Sequence, residues 1–162
     1  MAHVSLRTKV ANAISCLLEI DSYLLEIDVN ERTITHRLAM YLQEEFEDWD
    51  VDCEYNRYIY QVKQIKVINK LKSIVTQGTI SDTEAMTVFP DIIVHHRNSS
   101  NNLLVIEVKK TTNTVPREDD FRKLHEYRKQ LNYQNILFLQ LGAGPGRADV
   151  DEILWNEDIP QK

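Results

Sequence analysis

Three charged side chains interrupt the two most strongly strand-like segments of the sequence. Asp91 precedes the apolar run 92–94, and Glu107 and Lys109 lie within the run 103–110. An Asn/Ser-rich stretch separates the two runs, which indicates two strands joined by a turn as an antiparallel hairpin. Side chains alternate between faces along a strand, so Glu107 and Lys109 share a face. The hairpin register can bring Asp91 beside them.

Two carboxylates and one ammonium on a single sheet face require a chemical explanation, because buried charges without partners are costly. Carboxylate oxygens are hard ligands that suit Mg²⁺ or Mn²⁺, together with phosphate and water. A lysine beside them can orient or activate a water and stabilise charge that develops on a phosphorus. The pattern predicts metal-assisted hydrolysis of a phosphodiester. The alternative is a surface hairpin on which Glu107 and Lys109 form an ordinary ion pair.

The order Pro90-Asp91, then Glu107-x-Lys109 on the next strand, resembles the PD-(D/E)xK nuclease superfamily, also called restriction-endonuclease-like. The resemblance implies a Mg²⁺- or Mn²⁺-dependent nuclease in which Asp91 and Glu107 bind the metal. It also implies that the Val108 carbonyl supplies a third oxygen and that Lys109 positions or activates the attacking water.

Glu31 has two open interpretations. Asp28 with Glu31 three residues later has the spacing of a capping box at a helix start. Many members of the resembled superfamily carry a glutamate on the helix that precedes the sheet. The resemblance therefore makes Glu31 a candidate for an additional acid that binds a second metal or a metal-bound water. One residue can fill both roles.

Three basic residues are candidate phosphate contacts on position and charge alone. Arg57 offers a permanently charged, bidentate group, with an ion pair to a nearby acid as the alternative. Lys110 follows the Glu-x-Lys motif, and Lys123 lies near the start of the next predicted helix. His95 shares parity with Asp91, but a lone histidine at a strand end is more often a satisfied surface group, so it is not predicted as a ligand.

The predicted elements follow the order helix, strand, inserted helix, strand, strand, helix, strand. This order matches the αβββαβ core of the resembled superfamily over about residues 28–141. It implies an α/β (α+β) fold with a mixed four-stranded sheet flanked by helices. Residues 1–27 are predicted as extra N-terminal helices, 62–80 as a helical insertion, and 149–155 as a short closing helix. The first strand is predicted at 51–60, and residues 77–87 and 111–120 are predicted as loops. Asp119 or Asp120 is predicted to cap the helix that follows the second of these loops. The strand near 135–141 follows a helix and is predicted to pair in parallel with its neighbour.

Length and composition indicate one globular domain over residues 1–162. Hydrophobic residues make up 43% and charged residues 27% of the chain, values that are ordinary for a soluble protein. No apolar run is long enough to span a membrane, and no signal-peptide h-region is visible. Cys16 and Cys53 are far apart, which favours reduced thiols and predicts a cytoplasmic protein.

The net charge of −6 is unusual for a protein that binds phosphates. Lysines between 63 and 72 and basic residues after the hairpin nevertheless leave room for a basic face. The predicted substrate is nucleic acid, DNA in the first place, with RNA or branched DNA as a weaker possibility. The alternative function is a catalytically silent, nuclease-like module in a larger nucleic-acid-processing or defence complex. A homodimer would suit double-strand cutting, although no sequence feature establishes it.

Overall fold

The computed structural model describes residues 4–55 and 89–161 in full and, for 57–58, 61–62, 64–68 and 83–87, the backbone alone. The helices are α1 (Leu6–Ile20), α2 (Ser22–Glu26), α3 (Glu31–Glu45) and α4 (Glu118–Leu131). The strands are β1 (Asp50–Cys53), β2 (Arg57–Tyr58), β3 (Gln61–Val62), β4 (Gln64–Ile68), β5 (Thr83–Thr87), β6 (Ile92–His95), β7 (Asn102–Lys110), β8 (Asn135–Gly142) and β9 (Asp149–Trp155). A 3₁₀ turn (Asn156–Asp158) follows β9.

Five strands form one mixed sheet in the order β1-β6-β7-β8-β9. Strands β7 and β8 run parallel, and the other neighbouring pairs run antiparallel. The predicted β6–β7 hairpin and the predicted parallel pairing of β8 are therefore confirmed, as is the α+β class. Strands β2 and β3 pair as one antiparallel ribbon, and β4 and β5 pair as another.

Helices cover both faces of the sheet. The apolar stripe of α3 repeats at helical spacing through Ile34, Leu38 and Leu42, and it packs with α1 on one face. Helix α4 covers the other face with Phe121 and Leu124. Strand β7 lies between these layers, with Leu104, Ile106 and Val108 in the first core and Val105 in the second. No helix in the described ranges is long and apolar enough to cross a membrane.

The predicted closing helix at 149–155 is wrong, because Asp149–Trp155 is the fifth strand of the sheet. Val150, Ile153 and Trp155 are β-branched or aromatic residues that suit a strand. They follow a loop with two positive-φ glycines, Gly144 and Gly146, which lets the chain turn back beside β8. Pairing with β8 satisfies backbone groups that would otherwise form an open edge. The predicted sheet of four strands is corrected to five.

The predicted helical insertion at 62–80 is also wrong within the described residues. Gln61–Val62 and Gln64–Ile68 are strands, and Gln64–Ile68 pairs with Thr83–Thr87, which was predicted as a loop. The apolar spacing of this segment fits period two as well as a helix, and only the partner strand decides between them. Residues 69–82 lie outside the described part of the chain.

The first strand, predicted at 51–60, ends at Cys53, and Glu54 follows with a φ of 48°.

The caps of two helices differ from the prediction. Helix α3 is capped by Asn30, whose Oδ1 accepts the Thr33 N–H at 2.9 Å, instead of by Asp28. Asp28 has a φ of 56°, outside the extended conformation of a typical N-cap. Helix α4 begins at Glu118 without a side-chain cap, so Asp120, a predicted cap candidate, lies inside its first turn.

The cap assignment can be tested with Asn30→Ala. Loss of the side-chain acceptor leaves the Thr33 N–H without its partner, so the free energy of unfolding should fall by about 1 kcal/mol. Urea titration followed by circular dichroism measures this change. Asn12→Ala, an exposed asparagine on α1, is the control and should change stability by less than about 0.5 kcal/mol. Equal effects of the two substitutions would contradict the assignment.

Candidate active site

Glu107 and Lys109 project from the central strand β7 onto the sheet face that α4 covers. They are two residues apart and therefore point the same way. Only 2% of Glu107 and 5% of Lys109 is exposed. Phe121 of α4 and Phe138 of β8 meet edge to face beside them. The two charged groups thus lie between sheet and helix, largely removed from water, so the prediction of a surface hairpin does not hold.

Glu107 has one oxygen in an ion pair and one without a hydrogen-bond partner in the described part of the chain. Lys123 Nζ lies 2.6 Å from Glu107 Oε2. Burial raises the pKa of Glu107 to about 8, and the charge of Asp91 adds to this rise, whereas Lys123 opposes it. The second oxygen, Oε1, is buried and has no hydrogen-bond partner among the described residues. Such an acceptor costs about 1–3 kcal/mol.

Asp120 of α4 joins the two lysines of the cluster. Its Oδ2 lies 3.0 Å from Lys109 Nζ, and its Oδ1 lies 2.9 Å from Lys123 Nζ. Burial lowers the pKa of Lys123, but the charges of Glu107 and Asp120 outweigh burial and leave the pKa above its usual value. Two acids and two lysines therefore alternate in a continuous ion-pair chain across the interface between β7 and α4.

Asp91 lies opposite Glu107, as the hairpin prediction requires. The observed register pairs Ile92 with Ile106, which puts the preceding residue, Asp91, beside Glu107. Asp91 Oδ2 accepts a hydrogen bond of 2.8 Å from the Val108 N–H. Burial raises the pKa of Asp91 to about 6, although this hydrogen bond lowers it in part. The two predicted metal ligands therefore lie together.

Pro90 explains why the Asp91 side chain reaches the backbone of β7. One further step of the register sets Pro90 opposite Val108. Every second opposed pair of an antiparallel ladder exchanges two N–H···O=C bonds, and Val108 is in position for such a pair because its N–H is directed towards β6. Proline has no N–H to donate. The ladder stops there, and Asp91 takes the Val108 N–H. Since N–H and C=O of one strand residue point the same way, the Val108 carbonyl is directed to the edge beside Asp91.

The Glu31 side chain of α3 lies at the same edge of the sheet, beside Lys110, which follows Val108 by two residues on β7. Its Oε2 accepts the Lys110 N–H at 2.8 Å. Asn113 Nδ2 lies 2.8 Å from Glu31 Oε1 and 2.9 Å from Oε2. Both oxygens of Glu31 therefore have protein donors. Glu31 fixes the N-terminus of α3 to the end of β7, close to Asp91.

Lys110 does not join the Glu107 cluster. It alternates with Lys109, and its ammonium lies on the α3 side, 2.7 Å from Asp28 Oδ1 and next to the Val29 carbonyl. For Arg57 the structure describes only the backbone of β2, so its predicted phosphate contact stays a prediction. His95 is buried, not at the surface, and its Nε2 lies 2.8 Å from Asp52 Oδ2.

The cluster has a donor set that fits Mg²⁺ or Mn²⁺. Within the described ranges no three His, Cys, Asp or Glu side chains are grouped to hold a metal. Mg²⁺, however, is often held by one or two carboxylates, with water and phosphate completing its six oxygens. Asp91, Glu107 and the Val108 carbonyl provide such a set. Glu107 Oε1, which lacks a partner among the described residues, lies beside a second acid, Asp91, and a cation between these two carboxylates would be stabilised.

Sequence reasoning missed several members of this site. Asp120 was assigned only to a helix cap, and Asn113 was treated as loop. Tyr127, one turn after Lys123, is buried close to Glu107; burial and then the Glu107 charge raise its pKa. Gln140 is the one polar residue between Ile136 and Leu141 in β8, and this interruption of an apolar strand was a usable indication.

Comparisons of the chain with models of protein families, with curated proteins and with solved structures found no match in any of the three.

The raised pKa of Glu107 predicts how stability depends on pH in metal-free buffer with a chelator. The folded protein binds this proton more tightly than the unfolded chain, where the pKa is near its usual 4.5. The contribution of Glu107 is fully present below pH 4.5 and is lost as pH rises through about 8. Stability should therefore fall by up to a few kcal/mol across this window.

Glu107→Gln removes this titration, so its stability should depend less on pH between 5 and 8. Denaturant unfolding at a series of pH values measures both profiles. Glu44→Gln, on the exposed side of α3, is the control and should keep the wild-type profile. A wild-type profile in Glu107→Gln would show that the carboxylate titrates at an ordinary pKa.

Proposed function

We propose that the protein is a Mg²⁺- or Mn²⁺-dependent nuclease that hydrolyses phosphodiester bonds of nucleic acid, with DNA as its substrate. The restriction-endonuclease-like core of the PD-(D/E)xK superfamily is part of this proposal. It is supported by the antiparallel β6–β7 hairpin, the parallel strand β8 reached through α4, and helix α3 at the site.

One observation carries the proposal. Asp91 and Glu107 lie opposite each other on neighbouring strands, beside Lys109 and Lys123, and Glu107 keeps a buried oxygen without a partner among the described residues. A purely structural ion pair is favourable when all lone pairs are satisfied. An unsatisfied oxygen beside a second acid is instead expected where a cation or substrate completes the arrangement.

The roles follow from these contacts. Asp91, Glu107 and the Val108 carbonyl would hold the metal, which when bound supplies Lewis-acid stabilisation of a phosphoryl oxygen. Lys109 donates to the attacking water, and Asp120 fixes the direction of its ammonium. Lys123 neutralises Glu107 and can stabilise negative charge on the phosphate. Glu31 acts on this site by fixing the end of β7, and its contact with a second metal or a metal-bound water stays a prediction.

The proposed phosphate contacts lie on the side of α4 that is next to the Glu107 cluster. Lys123 is 30% exposed at its side chain and so reaches both Glu107 and solvent. The neighbouring Arg122 has a buried Nε that lacks a partner in the described part of the protein, and Asp119 holds its terminal nitrogen. Arg57 remains a proposed contact. These donors would bind the nucleic-acid backbone, whose contacts position a substrate without reading its sequence.

The alternative proposal is a catalytically silent, nuclease-like module of a larger complex. It is favoured by the ion pairs themselves, since Lys109 is held by Asp120 and Lys123 by two acids. In such a module the network would serve only to stabilise the fold. A homodimer, a nucleic-acid partner complex and a cytoplasmic location stay predictions under both proposals.

Lys109→Met distinguishes the two functions. Methionine keeps the buried aliphatic volume, and Asp120 retains Lys123 as its partner, so the variant should fold. Cleavage of single-stranded, double-stranded and branched DNA and of RNA, with Mg²⁺ or Mn²⁺, should fall at least about 100-fold because the attacking water loses its donor. Lys129→Met, on the exposed side of α4, should cleave like the wild type. Metal-dependent cleavage that Lys109→Met retains would reject this role.

Asp91→Asn tests the metal site. The amide oxygen can still accept the Val108 N–H, so the local structure is kept while one negative charge is removed. Mn²⁺ affinity, measured by calorimetry or electron paramagnetic resonance, should weaken at least about 10-fold. Asp48→Asn, an exposed acid after α3, is the control and should bind Mn²⁺ like the wild type. Unchanged affinity in Asp91→Asn would remove Asp91 from the ligand set.

A further inference from the structure

Two buried oxygens flank Lys109 on the sheet face under α4. Glu107 precedes Lys109 by two residues on β7, and Gln140 is its direct neighbour in the register with β8. Both Glu107 Oε1 and Gln140 Oε1 are buried without a hydrogen-bond partner among the residues that the structure describes. Neither belongs to the ion pairs of the cluster, which use Glu107 Oε2 and Asp120. Two acceptors that have no partner within the described ranges therefore lie beside one donor, the Lys109 ammonium.

The register of β7 and β8 shows that the side chains of Glu107, Lys109 and Gln140 lie on the same face of the sheet. Phe138, two residues before Gln140, contacts Phe121 of α4, so Gln140 points to the α4 side as well. Direct neighbours on adjacent strands lie about 4.8 Å apart, and residues two apart on a strand lie about 6.6 Å apart. The long side chains of Glu107, Lys109 and Gln140 can therefore meet over one small volume above the sheet.

The chemistry of the three groups matches one water molecule. An ammonium only donates hydrogen bonds, and an oxygen of an ionised carboxylate or of an amide only accepts them. A water that accepts from Lys109 Nζ can donate its two protons to Glu107 Oε1 and Gln140 Oε1. Buried waters typically make about three such bonds to polar groups that the protein leaves unsatisfied. None of these three groups uses the second lone pair of the water.

We propose that Gln140, with Glu107 Oε1 and Lys109, holds an ordered water, and that Gln140 is a positioning residue for hydrolysis through this water. The second half of this inference rests on the proposed nuclease function. Gln140 directs one proton of the water away from the substrate, so that the free lone pair faces the phosphorus. Its effect is on orientation and not on substrate binding.

A matched pair of substitutions tests the water site. Gln140→Met keeps the side-chain volume and removes the acceptor, and Gln140→Glu keeps an acceptor in the same place. Crystal structures of the metal-free wild type and both variants, at about 1.5 Å or better, should contain the water in the wild type and in Gln140→Glu. The water should be absent from Gln140→Met. A wild type in which Gln140 Oε1 is bound directly by a protein donor, with no water there, would overturn the proposal.

Kinetics test the positioning role separately. Gln140→Met should lower kcat about 10- to 100-fold with KM unchanged, and Gln140→Glu should retain most of kcat. Gln134→Met, at the exposed residue directly before β8, is the control and should leave both constants unchanged. Unchanged kcat in Gln140→Met would overturn the positioning role. If the wild type contains the water but cleaves no nucleic acid, the nuclease proposal fails while the water site stands.

Discussion

The removal of the Glu107 carboxylate from water is the constraint on which this side of the molecule depends. An isolated charge in that position would be strongly unfavourable. Lys123 reaches it from α4, Asp120 balances Lys123, and Lys109 balances Asp120. Each group would be poorly satisfied without the next one. The chain of charges therefore restricts where α4 can lie on the sheet, in addition to the apolar contacts of Phe121 and Leu124.

A second constraint acts in the plane of the sheet. Strand β7 extends beyond the start of β6, and its amides would be unpaired along that edge. Pro90 ends the ladder, and two acids then take the free N–H groups of Val108 and Lys110. One acid comes from the hairpin and the other from the first residue of α3. The geometry that brings two carboxylates to the site is thus the geometry that terminates the sheet.

The features that could be predicted from the sequence are those that depend on local residue patterns and on pairing between neighbouring segments. The hairpin follows from two apolar runs around an Asn/Ser turn, and the face shared by Glu107 and Lys109 follows from period two. Strand β9 was missed because its residues fit a short helix until β8 provides an edge to pair with. Asp120 was missed because the sequence does not fix which side of a helix meets which strand. Asp28 was predicted as the cap of α3 from its spacing to Glu31, but Asp28 adopts a positive φ and binds Lys110, and Asn30 caps the helix instead.

The ion-pair chain by itself would suit a structural core as well as an active site, because each lysine in it has an acid. The two cases differ in Glu107 Oε1, the oxygen that takes no part in the ion pairs. A structural network is favourable only when every buried polar atom is satisfied, since a half-satisfied network is worse than an apolar core. Lys123 occupies Glu107 Oε2, and Oε1 is buried with no partner in the described residues. Lys123 can therefore keep its ion pair with Glu107 Oε2 while a cation or a water binds Oε1. The ion pairs can thus stabilise the fold and still allow binding at the site.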